Sequence, residues 1–239
     1  MAILALKDVS KSFGALKVAD SVSFALEEGE ALGIIGPNGA GKSSLFNMIA
    51  GNLRVDSGRI LYGGADVTRQ PPMARCLAGI GRTFQIPQPF QHLTVFENLL
   101  VAAAYGSRKT EKEVSERCAN ILVRTGLISR ANQLGGSLAL LERKRLELAR
   151  ALATDPKVLL LDEIAGGLTE GECGELVETI RSISAAGTAI VWVEHVLHAL
   201  TSVVSRLLVL NFGKVIGIGQ PAEIMESKAV RQVYLGIDV

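Results

Sequence analysis

The sequence predicts an α/β fold built on a parallel sheet, and three observations carry that reading. Ala31–Ile35 is a short apolar run that stops at Gly36, and helical spacing follows over Lys42–Ala50. Residues 158–161 are a second uninterrupted apolar run, closing on Asp162-Glu163, as expected of a strand buried on both faces. Beyond it helix and strand patterns alternate: Glu170–Ala185 suits a helix, 188–193 a buried strand and 207–210 another.

Composition narrows what such a fold can do. The chain has 239 residues, 25 Lys+Arg against 24 Asp+Glu, and a formal net charge of +1. At roughly 150 residues per domain, this length admits one or two domains, or one domain carrying a subdomain. A hydrophobic fraction of 48% and a mean hydropathy of +0.31 lie well outside the disordered class. The near-zero charge argues against a nucleic-acid partner, because neutralising phosphates needs clustered Lys and Arg. Three widely spaced cysteines, Cys76, Cys118 and Cys173, offer no disulfide framework and point to a reducing compartment. The opening segment MAILALKDVS lacks the regions of a secretory signal, and no run approaches ~18 uninterrupted apolar residues. The expectation is a soluble intracellular protein, though an unusually apolar one.

Toward the N-terminus, residues 3–9 and 21–26 read as strands, with Val22, Phe24 and Leu26 alternating with small or polar neighbours. Gly51 is placed to close the helix over Lys42–Ala50, and residues 59–62 form a strand before the turn at Gly63 and Gly64. The middle third changes character. Pro87 and Pro89 end the preceding segment, and Thr94 with Glu97, like Thr110 with Glu113, has the capping-box spacing of a helix start. Val114, Cys118, Ile121, Leu122 and Thr125 keep helical period, and a further helix is expected over about 139–153. Residues from about 88 to 150 therefore read as a helical subdomain inserted into a single domain spanning 1–239.

The loop after the first buried strand carries the chemistry. Gly36-Pro37-Asn38-Gly39-Ala40-Gly41-Lys42-Ser43 fits G-x-x-x-x-G-K-[ST] and sits between a strand and a helix, as that motif requires. Its glycines let backbone N–H groups turn inward around phosphates, and the helix N-terminus adds partial positive charge. The candidate cradle runs from Gly36 through Ser44, with Lys42 reaching the β/γ-phosphates and the Ser43 hydroxyl holding Mg²⁺. An ordinary glycine-rich turn would have no use for the Lys-Ser pair. Asp162 stands at the carboxyl end of a buried strand, where open α/β sheets place their ligand crevice and P-loop enzymes hold Mg²⁺. Glu163 beside it is placed to orient or deprotonate an attacking water. By itself that pair would read as strand-end carboxylates capping the next helix, and His195 by itself as a capping or solvated histidine.

Together the motifs resemble those of the nucleotide-binding subunits of ABC transporters, over essentially the whole chain. That resemblance implies a P-loop NTPase fold with an ABC-type core: a mixed sheet, an antiparallel β region near the N-terminus and the inserted helical subdomain. It implies ATP and Mg²⁺ as cofactors. Phe13, in Lys11-Ser12-Phe13-Gly14, is similar to the aromatic that stacks on adenine. Gln85, in Arg82-Thr83-Phe84-Gln85, resembles the glutamine that touches Mg²⁺ and links the core to the helical subdomain. His195 matches the switch histidine. Gln85, Glu163 and His195 are thus the catalytic candidates, and Ser43, Gln85 and Asp162 the metal candidates. Within the family, residues 81–85, 93–99, 193–195 and the ending 233–236 look like the branched-chain amino-acid uptake group.

Two segments depart from the family pattern. The signature usually read as LSGGQ falls on Leu138-Ala139-Leu140-Leu141-Glu142, and residues 143–152 after it fit the family. In the family the signature sits at a helix N-terminus and grips the γ-phosphate of ATP bound to the opposite subunit. Here Ala139 replaces a hydroxyl, Leu141 a glycine, and Glu142 is expected to bring negative charge toward phosphate. Leu134-Gly135-Gly136-Ser137 lies too early and reads as the preceding loop. Gly166-Gly167-Leu168-Thr169 stands where an Asp usually ends its motif, and Ile164 replaces a usual Pro.

The resulting expectation is an ATPase driving transport, specifically the import of branched-chain or related amino acids. The implied partners are transmembrane permease subunits, a second ATPase subunit (identical or a paralogue) and a solute-binding protein. The chain would lie peripherally on the cytoplasmic face of the membrane, with a membrane partner docking between Phe84 and Leu100. Two other classes compete. An iron–sulfur cluster assembly ATPase also has one such domain, but the ending 233–236 speaks against it. A P-loop kinase of small molecules would have no use for Gln85, the signature segment or His195. DNA-repair ATPases of this fold need long coiled coils, which an insert of roughly 60 residues is too short to carry.

Overall fold

Strands β1 (Ala2–Phe13) and β2 (Leu16–Glu27) pair antiparallel about a turn at Gly14, whose φ is +58°. The structure, a computed structural model, describes residues 1–107 and 111–235. Both strands run longer than the sequence pattern foretells. Ser10, Lys11 and Ser12, all half-buried, and the exposed Leu16 and Lys17 pair through the main chain, so the stretch shows no alternation. β3 (Ala31–Ile35) leads into the loop, and α1 (Lys42–Ala50) leaves it and closes at Gly51, with φ +85°. β4 (Ser57–Tyr62) and β5 (Ala65–Asp66) complete a four-stranded antiparallel sheet in the order β2-β1-β4-β5.

Next come α2 (Pro72–Ala78), β6 (Ile80–Arg82), and the helices α3 (Val95–Ser107), α4 (Glu111–Arg124) and α5 (Leu140–Ala153). β7 (Val158–Asp162), α6 (Glu170–Ala185), β8 (Ala189–Val193), α7 (Leu197–Thr201) and β9 (Arg206–Asn211) return the chain to the main sheet. β10 (Lys214–Gly219), α8 (Pro221–Glu226) and α9 (Lys228–Leu235) end the described chain. The main sheet has the order β10-β9-β3-β8-β7-β6. All neighbours are parallel except the edge hairpin β9–β10, so the sheet is mixed.

α1 lies between the two sheets. Leu45, Phe46, Met48 and Ile49 are fully buried among Leu4, Leu6 and Leu26 on one side and Val158, Leu160 and Val191 on the other. At about 2 kcal/mol for each such side chain, this packing holds α1 and the loop before it firmly in place. The opposite face of the main sheet packs Leu159, Leu161, Ile190 and Trp192 against Leu146 of α5 and Leu176 and Ile180 of α6. β7 thus sends alternate side chains into two cores, which is why its apolar run is unbroken.

α3 packs against both α4 and α5, and Val95, Leu99, Val114, Cys118 and Leu122 join the same core. The expected capping box at Thr94 is present: its N–H donates to Glu97 Oε2 at 2.7 Å and Glu97 N–H returns to Thr94 Oγ1 at 3.2 Å. Thr110, of the second expected box, and Gly236, of the expected family ending, lie outside the described residues.

The elements β5, α2, β6, α7, β10, α8 and α9 carry no signal in the sequence patterning. β6 is three residues long, too short to display a period. Arg75 of α2 is 2% exposed and donates to the carbonyls of Met48 (2.6 Å), Ile49 (2.7 Å), Thr68 (2.9 Å) and Gln70 (3.1 Å). It thereby satisfies carbonyls at the C-terminus of α1 and supplies the positive charge that end favours. Among the described residues no helix is long and apolar enough to cross a membrane.

Candidate active site

The loop 36–41 threads between β9 and β2. A Cβ on Gly36 would fall 2.1 Å from the Leu210 carbonyl oxygen, and one on Gly41, whose φ is +104°, 2.1 Å from that of Val18. Glycine is therefore demanded here by neighbouring backbone. Gly213 N–H donates to Ala40 O at 2.9 Å and ties the loop to the β9–β10 turn. Gly41 caps α1 with no side chain, and no acid stands in the first turn, so the leading N–H groups and the dipole favour an anion. Lys42, 5% exposed, donates to Gly36 O at 2.7 Å and Pro37 O at 3.1 Å. Burial lowers its pKa, opposed by the charges of Glu163 and Asp162.

Residues 38–44 and Glu163 line one cavity of about 240 Å³. Leu16 and Val18 of β2 line it too, although nothing in the sequence singled them out. Phe13 lies across the hairpin from Leu16, is 52% exposed, and carries Lys11 Nζ 5.5 Å from its ring centroid.

Gln85, Glu163 and His195, distant in sequence, meet directly. His195 Nε2 is 2.8 Å from Glu163 Oε1, and Gln85 Nε2 donates to Glu163 Oε2. Because a carboxylate only accepts, the Gln85 amide must turn its NH₂ inward, and its oxygen is left for another partner. Glu163 has φ +46°, an uncommon conformation for a non-glycine residue, and its N–H donates to Val193 O at 2.9 Å.

Asp162, at the end of β7, is 5% exposed, and burial raises its carboxyl pKa against the pull of Arg82. Arg82 bonds Asp162 Oδ2 at 2.9 Å and Asn47 Oδ1 at 2.6 Å, bracing the strand end against α1.

Three of these supports, Arg82, Glu194 and Lys144, are not singled out by any motif of the sequence. Glu194, 1% exposed, accepts from Ala165 N–H at 2.9 Å and His195 N–H at 3.0 Å, joining the segment after Glu163 to the histidine. Lys144, 4% exposed, donates to Gln85 O at 3.3 Å and Glu163 O at 3.2 Å. The only available signal was their adjacency to the motifs.

The segment 138–142 stands apart from this cavity. Leu138 is buried, Leu140 is exposed, and a Cβ on Gly167 would meet Leu140 Cδ2 at 3.4 Å. Ala139, the residue before α5, has no side-chain acceptor. Glu142 accepts from Ala139 N–H at 3.0 Å and from Arg130 Nε at 2.8 Å, so its charge is balanced within the chain. Glu142 does stand at the start of α5 as expected, and the structure adds Arg130 as its counter-charge. Gly135–Ser137 form a short 3-10 turn pinned to Leu93 O and Gln91 O. Thr169 caps α6: its hydroxyl accepts from Glu172 N–H at 3.4 Å, while its own N–H and hydroxyl donate to Glu172 Oε2 at 2.9 and 2.8 Å. A hydroxyl thus does the capping that an Asp does at such positions.

The family model described as ABC transporter matches residues 19–166, a span that includes the loop, Gln85, the segment 138–142, Asp162 and Glu163. The chain belongs to the ABC transporter family. It is an ATP-binding subunit and an ATPase of that family.

This ABC subunit is 33% identical to the lipopolysaccharide export system ATP-binding protein LptB of Haemophilus influenzae, over 99% of this chain and 98% of that protein. It is 35% identical to the probable branched-chain amino acid transport ATP-binding protein LivG of Archaeoglobus fulgidus, over 99% of this chain and 96% of that one. A crystal structure of a nucleotide-free ATP-binding cassette from an ABC transporter superposes with a TM-score of 0.90 at 31% identity, covering 99% and 100% of the two chains. The two named relatives belong to systems for different cargoes, lipopolysaccharide export and branched-chain amino acid transport.

Proposed function

We propose that this subunit binds ATP on residues 36–44 and hydrolyses it to drive import of branched-chain or related amino acids. The observation that carries the catalytic part is the meeting of Gln85, Glu163 and His195 at the cavity of the loop. The loop N–H groups and Lys42 bind the phosphates, and Phe13 offers its exposed ring to the base. Glu163 accepts a proton from the attacking water, while His195 orients the carboxylate and reaches toward the γ-phosphate.

Mg²⁺ fits the donors present. The Ser43 hydroxyl, the outward amide oxygen of Gln85 and the Asp162 carboxylate are all hard oxygen ligands. When bound, it would neutralise charge on the phosphates. A second ATPase subunit would bring its own signature over this loop, and residues 138–142 here would face the partner's nucleotide. The helical segment from about 88 to 150 would carry the resulting motion to a permease.

Phe84, Ile86 and Phe90 are 44%, 73% and 45% exposed, beside a groove lined by Cys76, Arg82, Ala102, Glu147 and Arg150. That apolar surface is our docking site for the permease and holds the subunit at the cytoplasmic face of the membrane. For the cargo, the similarity to LivG over nearly the full length supports amino-acid import; a solute-binding protein would then deliver the amino acid. The comparable similarity to LptB favours a second reading, lipopolysaccharide export. Reconstitution in proteoliposomes with the permease that co-purifies with the chain tests both. ATP-dependent accumulation of labelled leucine is expected. ATP-dependent release of lipopolysaccharide would establish the second reading instead, and neither activity would overturn both.

A further inference from the structure

Lys144 lies in the second turn of α5, the helix that opens at residues 138–142. It is the first of three polar residues on one helix face, at i, i+3 and i+6, that all reach the segment 85–90. Glu147 Oε2 accepts from Gln88 N–H at 3.4 Å, and Arg150 donates to Gln88 O at 2.7 Å while its guanidinium lies 5.1 Å from the Phe90 ring. Lys144 alone of the three also touches the hydrolytic residues, and it does so through main-chain carbonyls.

We propose that Lys144 is a positioning residue that couples α5 to the hydrolytic cluster by holding the backbones of Gln85 and Glu163 together. Three observations carry this. Its ammonium is almost wholly buried, and its donations to Gln85 O and Glu163 O are its hydrogen bonds among the described residues. A buried ammonium without such partners is costly, so the site is built around it.

One of those carbonyls belongs to Glu163, whose left-handed backbone needs outside restraint to persist. The buried carboxylate of Glu194 and that of Glu163 supply the compensating charge. α5 therefore joins three things: the segment 138–142, the apolar docking surface at Phe84–Phe90, and the aim of the Glu163 carboxylate. A small shift of α5, whether from a nucleotide on the opposite subunit or from a docked permease, moves the base through Lys144.

The inference rests on the reading of Glu163 as the base, and the test separates the two. Steady-state ATPase kinetics are measured on wild type, Lys144→Met, Lys144→Arg, Glu163→Gln and the double variant Lys144→Met/Glu163→Gln, with melting curves to confirm folding. Lys144→Met is expected to lower kcat at least tenfold with KM for ATP within twofold of wild type. Lys144→Arg, which can still donate to both carbonyls, recovers most of it. In the Glu163→Gln background the same substitution adds no further loss.

A purely structural lysine would change the melting temperature and leave kcat within twofold, and that result overturns the coupling. So does an equal loss in the Glu163→Gln background. Wild-type turnover in Glu163→Gln sinks the assignment of the base and the coupling with it, whereas collapse there beside a normal Lys144→Met sinks the coupling alone. Should Lys144→Met not fold, Lys144→Gln, which keeps a donor for one carbonyl, carries the same expectations at smaller size.

Discussion

Two helix starts in this molecule look alike in sequence position and differ in chemistry. α1 opens on Gly41, with no capping side chain, no acid in its first turn, and Lys42 buried against the loop. α5 opens on Ala139, with Glu142 turned back onto the Ala139 N–H and Arg130, and with Leu140 exposed. The first is braced from beneath by an ion pair at 11% and 7% exposure, Arg82–Asp162. The second is braced by one at 51% and 21%, Arg130–Glu142. A start shaped by glycine, buried lysine and a buried pair leaves its N–H groups and positive dipole end favourable to an anion. A start that balances its own acid and presents leucine is suited to a partner surface, where backbone N–H groups do what a hydroxyl does elsewhere.

The sharpest break of that contrast is Lys42→Ala. It is expected to weaken ATP binding at least a thousandfold, about 4 kcal/mol, by isothermal calorimetry. Unchanged affinity would mean that the α1 start is no more an anion site than the α5 start.

Next is Arg82→Met. Removing one partner of a mostly buried pair is expected to cost about 2 kcal/mol at neutral pH, from denaturant unfolding. The sign with pH follows from Asp162. Burial raises its folded pKa above the unfolded one, so its charged form subtracts stability once pH rises through that folded value. Without Arg82 the subtraction grows, so the deficit should shrink as the pH is lowered toward the ordinary carboxylate range. A deficit constant with pH would show that Arg82 acts through packing rather than through Asp162.

A gentler change remodels α5 instead. Leu141→Gly combined with Glu142→Gln should raise the ATP-driven dimer fraction several-fold, about 1 kcal/mol, by analytical ultracentrifugation. No change would remove residues 138–142 from the nucleotide interface. Smallest is Arg130→Ala, an exposed pair worth about 0.5 kcal/mol in a melting experiment. A loss as large as that of Arg82→Met would erase the distinction between the two braces.

Much of the α1 side was legible beforehand. Gly36–Ser44 announces itself because the constraint is local, and residues 158–163 because double burial removes every polar residue from a short strand. Gln85 and His195 were reachable by family likeness alone; nothing in their immediate neighbours requires a meeting with Glu163. The outer halves of the long N-terminal strands carry no pattern because they pair by backbone while their side chains grade from half-buried to exposed without alternation. The counter-charge of Glu142 is invisible in its neighbours, since Arg130 lies on a separate turn and only the fold brings the guanidinium to it.

Near neighbours in the chain suffice to reveal the glycine loop at 36–44, the buried strands around it, the strand-end Asp162-Glu163 pair and the three helices of the insertion. These follow from spacing and periodicity among near neighbours. Only the tertiary structure decided that Arg75 caps α1, that Arg82 joins Asn47 to Asp162, that Glu194 ties Ala165 to His195, and that Lys144 spans Gln85 and Glu163. The physical reason is common to all four. A buried polar group must find its hydrogen-bonding partner wherever packing places it, and that partner is fixed by three-dimensional proximity rather than by distance along the chain.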